Sequence, residues 1–77
     1  MDLVHAQAEF AAGRFKEAVA EASQHGKGWR LLLHKDNGET LVLKDESGKD
    51  LLYNSLDQAA EVGREIGFES VRVEEHF

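Results

Sequence analysis

Four histidines, a row of three carboxylates and a basic hairpin are the groups in this chain best equipped to do chemistry. His5, His25, His34 and His76 are scattered along the sequence. None pairs with another at metal-ligand spacing, no His-Glu-x-x-His motif occurs, and the absence of cysteine removes thiolate sites and disulfides. His5 and Glu9 stand four residues apart, a spacing that on a helix makes a solvated pair. Asp57, Glu61 and Glu65 recur at the same spacing, so they line one helical face. Aligned carboxylates can serve acid–base work or hold a cation, but a solvated acidic face accounts for them without a site. Ser23 and Ser55 have no base near them in sequence, and the glycines form no phosphate-binding loop. The expectation is no catalytic residue, no cofactor and no metal.

The basic groups point to a different chemistry. Lys27, Arg30, His34, Lys35 and Lys44 lie on or beside the predicted hairpin, Trp29 adjoins them, and Arg72 shares the Arg30 face. Basic side chains beside a stacking aromatic are what single-strand nucleic-acid binders place on a sheet. Two observations oppose that reading. Trp29 alternates with Leu31 and Leu33, which assigns it to the core, and the formal net charge is −6. Residues 1–26 carry −2, residues 27–54 are neutral, and residues 55–77 carry −4. Nucleic acid is therefore disfavoured as a partner.

These groups must be positioned by a small set of elements. Apolar alternation in residues 28–35 and 40–44 around Asp36-Asn37-Gly38 predicts a hairpin. A polar turn at Asp45–Lys49 leads to a short third strand, Leu51, Leu52 and Tyr53. Ser55 reads as a helix N-cap, with Gln58 completing a capping box and Asp57 in the first turn. Leu56, Ala59, Ala60 and Ile66 give that helix its apolar face. Gly63 permits close approach, and Gly67 is the C-terminal cap. Phe68, Val71 and Val73 define a last strand. One core is predicted from Trp29, Leu31, Leu33, Leu41, Leu43, Ile66, Val71 and Val73.

Residues 1–26 are alanine-rich and read as helical. Phe15, Ala18, Val19 and Ala22 fall at i, i+3, i+4 and i+7, and Leu3, Ala6 and Phe10 make a similar stripe before Gly13. The spacing allows one helix or a helical hairpin bent at Gly13, closed by His25, Gly26 and Gly28. Ala6, Ala8, Phe10, Gly13, Phe15, Glu17 and Ala18 resemble the helix–turn–helix of a tetratricopeptide repeat. The match covers about a quarter of the chain, and a solitary repeat has no neighbour to stack on. The family's Leu/Gly pair and later proline are missing, so the resemblance implies helix-hairpin packing and no partner.

The fold class expected for residues 1–77 is therefore α+β in one small domain. A helix or helical hairpin over 1–26 precedes a β-β-β-α-β unit over 28–75 with a mostly antiparallel sheet. The sheet face opposite Trp29 is partly apolar through Leu32 and Val42. Arg30, Leu32, His34, Thr40, Val42, Lys44 and Arg72 form the candidate interaction face. A second subunit, another protein, or the N-terminal helix through Phe15 and Val19 is expected to cover it. No apolar run approaches the roughly 18 residues needed to span a bilayer, and no signal-peptide pattern opens the sequence. A soluble cytoplasmic setting without a membrane partner follows. The pattern implies a non-enzymatic protein–protein interaction or regulatory module; the alternative is a nucleic-acid accessory protein acting through the hairpin.

Overall fold

A computed structural model describes residues 2–22 and 28–74. The order is α1 (Leu3–Ala11), β1 (Phe15–Ala22), β2 (Trp29–Lys35), β3 (Thr40–Val42), α2 (Leu56–Ile66) and β4 (Arg72–Glu74). This is an α+β fold with an N-terminal helix followed by β-β-β-α-β. The four strands lie in the order β3-β2-β1-β4. The β1–β2 and β2–β3 pairs are antiparallel, and β4 runs parallel to β1.

The main correction concerns Phe15–Ala22, expected as helix and found as a strand between β2 and β4. Asp2 caps α1 by accepting from the His5 amide at 2.9 Å. The helix stops at Ala11, and Gly13 takes a positive φ of 76°. That left-handed turn is cheap only for glycine, and it redirects the chain into β1. The helix–turn–helix resemblance therefore fails at its second helix. In β1 the side chains alternate, with Ala18 and Ala20 on the helix side and Glu17, Val19 and Glu21 on the other.

Three further expectations change. Leu51–Tyr53 forms no strand; the return segment makes isolated bridges, Lys44 with Asp50 and Trp29 with Tyr53. The β-β-β-α-β unit accordingly begins at Phe15 rather than Gly28. Trp29 and Val73 leave the core: Trp29 is half-buried at the end of β2, and Val73 is 44% exposed on the edge strand. His25, Gly26, Lys27, His76 and Ser23 lie outside the described residues.

Both helices cover one sheet face. The core there joins Ala6, Ala18, Leu31, Leu33, Leu43, Ile66 and Phe68, with Leu3, Phe10, Phe15, Leu41 and Val71 packed around it. Phe10 meets Phe68 edge-on at 4.8 Å between ring centroids, and Phe15 lies 5.8 Å from Phe68. Ser55 caps α2 as expected, accepting from the Gln58 amide at 3.2 Å. The Gln58 side chain reaches back to the Asn54 amide rather than to Ser55. Gly67 ends the helix at φ 136°, and a Cβ built there would stand 2.5 Å from the Phe10 ring. This glycine is required by its backbone angle and by the aromatic ring packed over it.

Candidate interaction face of the sheet

The strand registers assemble the face opposite the helices row by row. Val42, Leu32, Val19 and Arg72 make the central row, through the pairs Leu32–Val42, Val19–Leu32 and Val19–Arg72. Thr40, His34 and Glu17 make the row on one side. Arg30, Glu21 and Glu74 make the row on the other, with Lys44 beyond Val42 along the β3 direction. All seven sequence-selected residues, Arg30, Leu32, His34, Thr40, Val42, Lys44 and Arg72, thus belong to one side of the sheet.

Sequence reasoning missed Glu17, Val19 and Glu21, because it placed them on a helix. Alanine at every second position of residues 18–22, with Glu17, Val19 and Glu21 between, was the signal for them. Their recovery also corrects the proposed cover. Phe15 packs with Phe68 on the helix side, and Val19 is part of the face itself.

Charged side chains frame the apolar row. Arg72 donates to both Glu17 carboxylate oxygens, at 3.1 and 3.3 Å. Arg30 donates to Glu21 and reaches Asp50 at 3.4 Å, and Lys44 also donates to Asp50. His34 Nδ1 and Thr40 Oγ1 are 2.8 Å apart. The long side chains shelter the row they flank. Val19 is fully buried and Leu32 is 9% exposed, although neither described helix lies on this side. Half-buried Val42 is the more accessible apolar member.

The ion pairs shift their partners as expected. Glu17 titrates below the usual carboxylate value because Arg72 bonds it, and Asp50 does so chiefly through Lys44, then Arg30. The guanidinium of Arg30 is pushed up by Glu21 and that of Arg72 by Glu17. A carboxylate whose folded pKa lies below its unfolded one stabilises the fold above the unfolded value. That contribution is lost as pH falls through the folded pKa. The ordinary values are 4.5 for Glu17 and 3.8 for Asp50. The melting temperature is therefore expected to hold down to about pH 5 and to drop below it. An E17Q/D50N variant should melt lower at neutral pH and show a smaller acid-induced drop. Both effects should be modest because the pairs are exposed. An unchanged acid profile in that variant would remove these pairs from the account.

The other chemical candidates are dispersed. His5 sits against Asp2 at 2.8 Å, while Glu9 turns to Arg14 at 3.2 Å and Lys35 at 3.9 Å. His5 and Glu9 thus have separate partners. Asp57, Glu61 and Glu65 are exposed on α2. No group of three or more histidine, cysteine or acidic side chains among the described residues converges as a metal site would. A recess of about 320 Å³ lies between Gly13, Arg14 and Lys35–Asn37. It is open to solvent and contains no serine, threonine, cysteine or histidine. No described helix is long and apolar enough to cross a membrane. Comparison of the chain with protein-family models, curated proteins and solved structures gave no match.

Proposed function

We propose that this protein is a non-enzymatic protein–protein interaction or regulatory module that docks a protein partner on the sheet face opposite its helices. The observation that carries this reading is the Val42–Leu32–Val19 row, apolar at its centre and bordered by paired charges on the side the helices leave open. An apolar centre within a polar rim is the anatomy of a modest protein interface. A cytoplasmic setting suits a chain without cysteine.

The pairing of charges also favours a protein over a nucleic acid. Arg30, Lys44 and Arg72 are the cations a phosphate backbone would need, and each already bonds a carboxylate. Binding phosphate there requires breaking those pairs beside Glu17, Glu21 and Asp50, which repel it.

The test uses the full chain as bait in an extract of its native host, with a nuclease-treated sample run in parallel. A discrete protein should be retained by the wild type, survive nuclease treatment, and be lost with V42E, which alters the accessible apolar member while leaving the ion pairs in place. Circular dichroism verifies that the variant is folded. Retention of nucleic acid that falls steeply with salt and disappears in R30E/K44E would overturn this reading in favour of the alternative.

A further inference from the structure

β4 lies at one edge of the sheet, and no described strand runs along its outer side. An open edge presents backbone N–H and C=O groups to any strand that can pair with them. Its sequence, Arg72-Val73-Glu74, contains neither lysine nor proline, and its two charges are of opposite sign, so a second strand of the same sequence can oppose them as ion pairs. Its apolar residue, Val73, is 44% exposed. The opposite edge differs. β3 reads Thr40-Leu41-Val42, without charge, and just beyond it the chain folds back so that the Leu51 amide bonds the Leu43 carbonyl at 2.9 Å.

We propose that β4 pairs antiparallel with β4 of a second copy of this chain, about a two-fold axis through Val73, making one sheet continuous across both copies. The residues themselves select this register. Directly opposed residues in an antiparallel ladder share a face, so only registers that preserve side-chain parity are open. Centred on Val73, each Arg72 faces Glu74 of the partner subunit, twice by symmetry, while the two exposed valines cover one another on the helix side. Centred on Arg72 or on Glu74, the pairing instead opposes two like charges. Arg72 can serve both contacts. A guanidinium has five N–H donors, and Glu17 is reached through Nε and Nη2. This β4–β4 pairing is independent of which protein the open face docks, and it would lay two such faces side by side.

Light scattering or sedimentation of the full chain tests it. The wild type should be a dimer in the micromolar range. R72E and E74R should each weaken association by roughly tenfold or more, because each creates like-charge opposition. Mixing R72E with E74R should restore a mixed dimer, and the R72E/E74R double variant should restore the homodimer. V73K, at an exposed position without an intrachain pair, should be a folded monomer by circular dichroism even if R72E is compromised by losing Glu17. A wild type that is monomeric throughout the micromolar range, a V73K chain that still dimerises, or single variants that fail to recombine would each overturn the proposal. The V42E capture experiment is unaffected by any of these results.

Discussion

A chain that begins at Lys27 is expected to remain unfolded in native buffer. It lacks α1 and β1, and β1 is the strand that joins β2 to β4. Without it, β4 loses its only described strand partner, and the core loses Ala6, Phe10, Phe15 and Ala18. Small domains have little burial to spare, so the remaining β2–β3 pair and α2 cannot make up the loss. Far-ultraviolet circular dichroism should give a coil spectrum and heating should give no cooperative transition. A cooperative melt would mean that residues 28–74 form a self-sufficient unit with residues 1–26 as an appendage.

Leu31→Ala should cost on the order of 2–5 kcal/mol in urea unfolding, whereas Val73→Ala should cost less than about 0.5 kcal/mol. The sequence alone places both residues in one core. Leu31 is only 1% exposed, in the middle of β2 and in the core cluster that includes Leu33 and Ile66, so its truncation leaves a cavity there. Val73 is 44% exposed at the sheet edge and already partly hydrated. Comparable losses at the two positions would mean that β4 is more deeply packed than described.

Where the sequence was legible, a local chemical signal left one reading. Asp36-Asn37-Gly38 turned β2 into β3, Ser55 and Gly67 bounded α2, and the parity of Arg30, Leu32 and His34 assigned them one face. Residues 15–22 failed because alanine is ambiguous. Phe15, Ala18, Val19 and Ala22 fit a helical stripe, while Glu17, Val19 and Glu21 fit an alternating strand with equal economy. Alanine's helix propensity favours the first pattern. Tertiary pairing on both edges of the segment decides for the second. Trp29 and Val73 failed for another reason. Alternation gives the side of a sheet but not how far the covering helices extend along it.

The candidate face was half legible for the same cause. The residues on β2, β3 and β4 were found by parity, while its buried centre, Val19, and the carboxylates that neutralise Arg30 and Arg72 were hidden in the misread segment. The whole account therefore rests on Phe15–Ala22 being a strand. Nuclear Overhauser contacts in isotopically labelled full-length protein test this most directly. The account predicts cross-strand contacts from Val19 to Leu32 and to Arg72, with slowly exchanging amides along β1. Sequential amide–amide and i to i+3 contacts running from Phe15 to Ala22, without contacts to Leu32 or Arg72, would contradict it.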